Sequence, residues 1–425
     1  MPNLVVVYDE GSASPMEIRT GLARLGDVTF VLPPSAHNDR LAPLLRELGD
    51  VVPVPDAEPA AIDEVARLKP DAVLTFSERR VRLTAALTER FGLPGHRKTT
   101  AVLLTDKSLQ RERLRGTGVD PIRSATLTGP EDWPRGVRDV GLPAVLKPLI
   151  GEGSRSTYLI EDEADGLRTM RELPGPMVLE QYLRGRDSGP FGDYVSVESV
   201  TSHGRVSHVA VTGKYPLLPP FRETGAFWPS SLSSAECAAL CELAGKALEA
   251  LGIDSGVTHT EIKLTGDGPH IIEVNGRVGG HLTELYLRAM GLDLVELAGR
   301  TALGEDVGRH PAPATNDVFF QYFNPAPRQA AKLAAAHGAA EVRRLPGIAA
   351  YRRLIQPGEM VTDTVMTQRL DIISGSAPDH QIMFKILDDA CTALSFTFET
   401  ASGTARIRAS ELRDHGDDIR TTSGH

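Results

Sequence analysis

The sequence predicts an α/β protein that continues into an α+β subdomain, and the order of its strand and helix patterns indicates this fold class. Short apolar strands alternate with helical patterns over residues 1–105, which is typical of a parallel, doubly wound sheet. At 425 residues the chain is too long for one ordinary core. We therefore predict a Rossmann-like N-terminal domain (1–105), a central domain (106–305) and a C-terminal α+β subdomain with a flexible tail (306–425).

The C-terminal pattern consists of short strands around a single helix. We predict strands at residues 318–323, 341–345, 348–354, 364–372 and 393–398, and a helix at 378–390. The residues beyond 402 have mixed charge, and chain ends are ordered only where other elements hold them. We therefore expect this tail to be partly disordered.

The composition excludes several classes of protein. The net charge of −10 argues against a nucleic-acid partner. No stretch reaches the ~20 apolar residues that are needed to span a bilayer. Three cysteines cannot form a disulfide framework, which favours a reducing compartment. We therefore expect a cytoplasmic protein with neither a nucleic-acid nor a membrane partner.

The segment 257–281 predicts a β-hairpin. Two alternating runs, VTHTEIKL and HIIEVNGR, flank a turn rich in glycine. If the hairpin is centred on Asp267, Glu261 lies opposite Glu273, and His259 lies opposite Asn275. Like charges that face each other across a ladder are destabilising, so a cation is expected between the two glutamates.

This hairpin face has the ligands of a magnesium site. Oxygen ligands from Glu273, Asn275 and the facing glutamate suit Mg²⁺, which usually completes its coordination with water and phosphates. Alternation also places Ile271 on the same strand face as Glu273 and Asn275. Arg277, two residues beyond Asn275, could stabilise charge on a transferred phosphoryl group. An ordinary solvated hairpin face with surface carboxylates explains the same pattern.

Two lysines and a glycine-rich loop precede the hairpin. Lys107 lies in a helical pattern, and Lys147 lies inside the apolar strand PAVLKP. Lysines are almost never buried without a partner, so Lys147 indicates a function. The loop 151–157 that follows can turn backbone N–H groups toward an anion, although a plain turn is the commoner explanation.

The N-terminal sheet carries no dinucleotide motif, because no G-x-G-x-x-G follows its first strand. Polar residues at 9–12 and at Ser77-Glu78 lie where strands end, which is where such sheets bind ligands. Simple turn and helix-cap chemistry is the commoner explanation for them. The segment 216–232, rich in proline and aromatic residues, predicts a loop that forms a pocket, although structural packing explains the same composition.

Taken in order, these motifs resemble those of an ATP-grasp enzyme, over most of the chain. That family has a lysine on a helix, a second lysine before a glycine-rich loop, a Glu-x-x-Leu hinge, and a Glu/Glu-x-Asn metal site followed by an arginine. The matching residues are Lys107, Lys147, the loop 151–157, Glu180 to Leu183, Asp187, Glu261, Glu273, Asn275 and Arg277. The resemblance implies the ATP-grasp fold for the central domain.

A further resemblance is to carboxylate–amine ligases that act on amino acids, such as the L-amino-acid (dipeptide) ligases. Their Lys…Pro-Pro-Phe…Glu-Thr-Gly…Pro-Ser loop is matched by Lys214 and residues 219–230, and their Gly-Arg-x-Gly-Gly-His stretch by 276–281. The chain departs from the pattern in the phosphate loop. Ser154-Arg155-Ser156 stands where relatives often have Gly-Ser-x-Gly, so a stiffer loop is expected.

The resemblance implies a role for each matching residue. Those expected to bind ATP are Lys107, Lys147, Gly153, Ser154, Ser156, Glu180, Gln181, Leu183 and Asp187. Those expected to hold Mg²⁺, or Mn²⁺ in its place, are Glu261, Glu273 and Asn275, and Arg277 and Lys147 are the expected catalytic residues. Those assigned to the substrate pocket are Lys214, Glu223, Trp228, Gly279 and His281, with purely structural roles as an equal alternative for Glu223, Trp228 and His281.

The implied function is an ATP-dependent carboxylate–amine ligase that works through an acyl phosphate and releases ADP and phosphate. Its expected partners are small-molecule carboxylate and amine substrates, most naturally amino acids. A homodimer is a further possibility. Two alternatives remain at this point. One is an ATP-grasp carboxylase that uses bicarbonate, and the other is a regulatory protein that binds ATP without turnover.

Overall fold

A computed structural model describes residues 1–308 and 317–415. Residues 416–425, the end of the predicted flexible tail, lie outside the described residues. Across the described ranges, no helix combines the length and the apolar character that a membrane crossing requires.

The N-terminal domain forms the predicted doubly wound sheet. Its elements are β1 (Asn3–Val7), α1 (Pro15–Leu22), β2 (Asp27–Leu32), α2 (Ala36–Leu48), β3 (Asp50–Pro53), α3 (Glu58–Ala66), β4 (Ala72–Leu74), α4 (Val81–Phe91) and α5 (Lys98–Thr105). All strand pairs are parallel, in the order β3-β2-β1-β4. Leu4 to Val7 are fully buried, as expected of a strand with both faces covered.

A small antiparallel sheet follows, in the order β5-β8-β6-β7. Its elements, with the helix that precedes it, are α6 (Lys107–Gly116), β5 (Ser124–Leu127), α7 (Trp133–Val140), β6 (Ala144–Pro148), β7 (Tyr158–Ile160), α8 (Glu163–Glu172) and β8 (Met177–Gln181). Asp106 caps α6 by accepting hydrogen bonds from the N–H groups of Ser108 and Leu109. This cap places Lys107 at the first turn of the helix.

The central strands belong to a sheet of eight strands. Its first part comprises β9 (Tyr194–Ser202), β10 (Arg205–Lys214), β11 (Gly225–Trp228), α9 (Ser234–Leu251), β12 (Gly256–Thr265), β13 (Gly268–Asn275), α10 (Leu282–Met290) and α11 (Leu294–Ala302). The strand order is β13-β12-β9-β10-β11, and three strands from beyond residue 317 extend it. The predicted domain boundary at 305/306 therefore cuts through a continuous sheet.

The C-terminal elements are β14 (Val318–Tyr322), β15 (Ala331–His337), α12 (Ala339–Val342), β16 (Ile348–Arg353), β17 (Met360–Val361), β18 (Asp371–Ala377), α13 (His380–Ala393), β19 (Ser395–Thr400), β20 (Gly403–Arg408) and α14 (Ala409–His415). Strands β14, β18 and β16 complete the large sheet, and β17-β15-β19-β20 form a fourth sheet.

Two predictions for this part were wrong. Residues 341–345 lie in α12 and the turn after it, and the strand expected at 364–372 begins only at Asp371. Residues 403–415 form β20 and α14, because pairing with β19 and packing on α13 hold the chain end. Side-chain alternation alone does not show whether a short segment finds a strand to pair with.

The longest helix, α9, leads into the hairpin of β12 and β13, and a capping box begins it. Ser233 Oγ accepts from Glu236 N at 3.3 Å, and Glu236 Oε2 accepts from Ser233 N at 2.9 Å. Each side chain therefore satisfies one backbone N–H that the helix leaves unpaired.

Ser233→Ala is expected to lower the free energy of unfolding by about 1 kcal/mol, the usual cost of removing such a cap. Urea denaturation followed by circular dichroism measures this change. Ser231→Ala is the matched control, because Ser231 is exposed and precedes the cap. Equal stability of the two variants would contradict the role given to the box.

Candidate active site

The hairpin of β12 and β13 brings its acidic pair together as predicted. Glu261 is the ladder partner of Glu273, and His259 is the partner of Asn275. The turn is one step tighter than expected, because Thr265 pairs with Gly268. An irregularity between Glu261 and Ile262 adds one residue to β13 and restores the predicted pairing.

This bulge corrects the prediction for Ile271. Ile271 pairs with Ile262 and is fully buried in the apolar core, whereas Ile272 and Glu273 both line the cavity described below. A bulge sets two residues against one, so strict alternation fails there. The prediction that Ile271 shares a face with Glu273 was therefore wrong.

The acidic face opens into a cavity of about 350 Å³. The predicted site residues that line this cavity are Lys107, Lys147, Gly153, Ser154, Glu180, Gln181, Leu183, Lys214, Glu223, Glu261, Glu273, Asn275, Arg277 and His281. Residues from the N-terminal domain also line it, namely Glu10, Gly11 and Ser12. One cavity therefore gathers groups from every part of the chain.

Four predicted residues lie outside this lining. Asp187 Oδ1 accepts a hydrogen bond from Gly189 N at 2.9 Å, and Ser156 N donates to Val365 O at 2.7 Å. Trp228 is buried in the apolar core that joins the N-terminal domain to the large sheet. At Gly279 an added Cβ would come within 2.5 Å of His259 Nδ1, so this glycine allows close packing behind the site.

A buried ion network holds Lys147 and Glu180. Lys147 Nζ lies 2.9 Å from Glu180 Oε2, and Arg111 Nη2 lies 3.5 Å from the same oxygen. Asp120 balances Arg111 at 3.3 Å. Burial would raise the pKa of Glu180, but Lys147 and Arg111 outweigh burial and hold that pKa below its usual value. Arg111 and Asp120 had not been singled out from the sequence.

Lys107 bridges two other parts of the site. Its Nζ donates to Gly151 O and lies 2.7 Å from Glu273 Oε1. Burial would lower the pKa of Lys107, but the Glu273 carboxylate raises it, so the ammonium remains charged. Helix α6, the glycine-rich loop and the hairpin therefore meet at one cation.

His259 holds the second carboxylate of the pair. Its Nε2 lies 3.3 Å from Glu261 Oε1, and its Nδ1 lies 2.9 Å from both oxygens of Glu198 on β9. Burial would lower the pKa of His259, but Glu198 outweighs it and raises that pKa to about 9. The partner of Glu198 could not be predicted from the sequence, because it lies on a different strand.

Arg277 is positioned by Glu78 from the N-terminal domain. Arg277 Nε lies 3.0 Å from Glu78 Oε2, and Arg277 Nη2 donates to Asn275 Oδ1 at 3.3 Å. Burial raises the pKa of Glu78 to about 7, while Arg277 opposes that rise. The position of Glu78 after β4 was the one sequence signal for this contact.

The glycine-rich loop is held against a C-terminal strap, residues 365–369. Thr367 N donates to Gly153 O at 2.9 Å, and the Ser156 bond to Val365 lies beside it. Ser154 Oγ donates to Phe221 O at 2.8 Å. Ser154 and Ser156 have positive φ values of 56° and 51°, a conformation that costs energy in any residue but glycine. Tertiary contacts therefore shape this loop.

The donor groups on the hairpin fit a magnesium ion. Glu261, Glu273 and Asn275 offer oxygen atoms to one cavity, which is the ligand chemistry that Mg²⁺ prefers. Within residues 1–308 and 317–415, no group of three or more His, Cys, Asp and Glu forms a metal centre. The candidate site therefore uses two carboxylates and an amide, with the remaining positions left to water or phosphate.

Comparison with known proteins identifies the class of domain. Residues 112–281 match the family model described as an ATP-grasp domain. Among curated proteins, alanine–anticapsin ligase of Bacillus subtilis (strain 168) is 30% identical over 249 residues, which is 53% of this chain and 52% of that protein. Carnosine synthase 1 of Homo sapiens is 29% identical over 264 residues, covering 56% of this chain and 31% of that protein.

Solved structures share the fold. The L-amino acid ligase from Bacillus licheniformis superposes with a TM-score of 0.76 at 22% identity, covering 93% of this chain and 98% of that one. N5-carboxyaminoimidazole ribonucleotide synthetase from Thermotoga maritima superposes with a TM-score of 0.68 at 16% identity, covering 93% and 99%.

The chain therefore carries an ATP-grasp domain, and its fold is that of the ATP-grasp enzymes. Its relatives include proteins named as an alanine–anticapsin ligase and as a carnosine synthase. The chain spans about half the length of the alanine–anticapsin ligases it matches. The fold and the domain predicted from the motif order are thus confirmed.

Arg111→Met is expected to lower the free energy of unfolding by about 3 kcal/mol, because it leaves Asp120 and part of the Glu180 charge buried without a cation. Urea denaturation of both proteins measures the loss. Arg113→Met is the matched control on the same helix, since Arg113 is exposed and donates only to Ala250 O at 3.3 Å. A similar loss in the control would refute the buried network as the cause.

Proposed function

We propose that this protein is an ATP-dependent carboxylate–amine ligase that joins amino acids through an acyl phosphate. One observation carries the proposal: two facing glutamates, an asparagine, an arginine and two lysines line a single cavity beside a glycine-rich loop. Phosphoryl transfer needs mainly positioning and neutralisation of charge, and this set of side chains supplies both.

The nucleotide is proposed to lie along the lysine side of the cavity. Lys107 and Lys147 are each held by a carboxylate and can neutralise phosphate oxygens, with the loop 151–157 above them. The strand end at Gln181 and Leu183 offers backbone groups and an apolar wall to adenine. Glu180 is the proposed partner of the adenine amino group, as the resemblance implies.

Glu261, Glu273 and Asn275 are the residues proposed to hold Mg²⁺, which when bound would neutralise charge on the phosphates. His259 supports this set by fixing the Glu261 carboxylate from behind. Lys107 does the same for Glu273. These contacts orient the oxygens before any ligand arrives, which lowers the cost of ordering them.

Arg277 is proposed to bind the substrate carboxylate that attacks the γ-phosphoryl group. The attack forms a bond from a carboxylate oxygen to phosphorus and breaks the bond to ADP, giving an acyl phosphate. The second substrate then attacks the acyl carbon with its amine, phosphate leaves, and the nitrogen loses a proton. Glu78 and Asn275 hold the guanidinium in place for this role.

Two observations favour the ligase over its alternatives. The loop at 214–230, with Lys214 and Glu223 in the cavity, matches amino-acid ligases rather than carboxylases. A protein that only bound ATP could dispense with Arg277, which here lies in the cavity and is paired with Glu78. We also propose the cytoplasm as its compartment, which fits the free thiols of Cys237 and Cys241.

The decisive measurement is phosphate release from Mg²⁺-ATP with single amino acids and with pairs, combined with mass detection of products. Release that requires two amino acids, with a product equal to their sum less water, supports the ligase. Release driven by bicarbonate would establish the carboxylase instead. Tight ATP binding without release under every condition would favour the regulatory protein.

Glu273→Gln and Asn275→Ala are each expected to lower Mg²⁺-dependent turnover by at least on the order of a hundredfold, because groups that stabilise transition-state charge contribute several kcal/mol. The thermal unfolding midpoint should stay near that of the wild type for Asn275→Ala. Glu242→Gln, an exposed glutamate on α9, is the control. Full activity in either variant would refute the metal assignment.

A further inference from the structure

Two cations share one carboxylate in a part of the cavity away from the acidic hairpin. Glu223 Oε1 lies 3.6 Å from Lys214 Nζ, and Glu223 Oε2 lies 3.3 Å from Arg369 Nη2. All three side chains line the cavity. One carboxylate therefore faces two cations, and of these Lys214 also acts electrostatically on the Glu261 carboxylate.

Arg369 is held rigidly at this place by its surroundings. Its guanidinium carbon lies 4.8 Å from the centre of the Phe323 ring, and its backbone forms a bridge to Pro325. Its Nε is buried and has no hydrogen-bond partner within the described part of the chain. A guanidinium has five N–H donors, so the single oxygen of Glu223 leaves donors available to a ligand.

The neighbouring histidine adds no positive charge to this group. The His281 ring packs against the ring of Phe323, and the two ring centroids lie 5.2 Å apart. Burial, with Arg369 and Arg352 adding to it, lowers the pKa of His281 to about 3. His281 is therefore neutral, and the cations that face Glu223 are Lys214 and Arg369.

Arg277, another of the arginines that line the cavity, is committed to other partners. Arg277 contacts Glu78 and Asn275 beside the acidic hairpin, whereas Arg369 contacts Glu223 and belongs to the C-terminal strap. A ligase that joins two amino acids meets two substrate carboxylates. The one that is activated must reach the phosphates near Arg277, so the other needs a cation of its own.

We propose that Arg369 binds the carboxylate of the amine substrate, which is therefore an amino acid with a free carboxylate rather than a simple amine. The planar fork of a guanidinium matches a carboxylate with two parallel hydrogen bonds, and stacking on Phe323 keeps that fork in place. This inference rests on the ligase function proposed above. It assigns a specificity-determining role to a residue outside the motifs of the sequence.

The test separates the two half-reactions. Hydroxylamine traps an acyl phosphate as a hydroxamate without any amine substrate, so a screen of the twenty standard amino acids with Mg²⁺-ATP and hydroxylamine identifies the donor. With that donor, each amino acid is then compared with its α-amide as the amine substrate, by mass detection and phosphate release.

In the wild type, the amino acid should be used with a clearly lower KM than its amide. Arg369→Met should raise the KM of the amino acid roughly ten- to hundredfold, the usual effect of losing a hydrogen bond between charged groups. The KM of the amide should change little, and so should the rate of hydroxamate formation. Arg369→Lys should restore part of the loss.

Arg352→Met is the matched control. Arg352 is an exposed arginine on β16, and its charge, like that of Arg369, lowers the pKa of His281. It should match the wild type with both amine substrates. Equal losses with amino acid and amide in Arg369→Met, or a hydroxamate rate that falls as far as peptide formation, would overturn the assignment. A wild type that forms no hydroxamate with any amino acid would instead refute the ligase function itself, and this inference with it.

Discussion

The opposition of Glu261 and Glu273 across the hairpin is the constraint on which the site depends. Two carboxylates at paired positions repel each other, and each here is held by its own cation. His259 contacts Glu261, and Lys107 contacts Glu273 from helix α6. The hairpin therefore keeps its acidic face only because β9, with Glu198 behind His259, and α6 pack around it.

The same rule organises the rest of the cavity. Glu180 pairs with Lys147 and Arg111, Glu78 pairs with Arg277, and Glu223 pairs with Lys214 and Arg369. A buried charge without a partner costs several kcal/mol, so each pair fixes the distance between the elements that carry it. Because the partners come from different elements, charge pairing ties the N-terminal domain, α6, the small sheet and the C-terminal strap to one another.

The C-terminal strap joins the phosphate loop to the substrate end of the cavity. Thr367 contacts Gly153 on one side, and its Oγ1 accepts from Glu223 N at 3.3 Å on the other. Arg369 lies two residues further along the same segment. This strap and Phe221 contact the loop at Gly153, Ser154 and Ser156, so tertiary contacts constrain its conformation.

The sequence by itself determined the parallel N-terminal sheet, the hairpin and the order of the motifs, because side-chain alternation and turn residues are local properties. It also placed Glu261 opposite Glu273, although a tighter turn and a bulge together produced that register. Only the tertiary structure decided that Glu78 meets Arg277, that Glu198 supports His259 and that Arg369 enters the cavity. These contacts join residues that lie 61 to 199 positions apart, as the numbering shows, and no local pattern carries information about which distant charge will balance which.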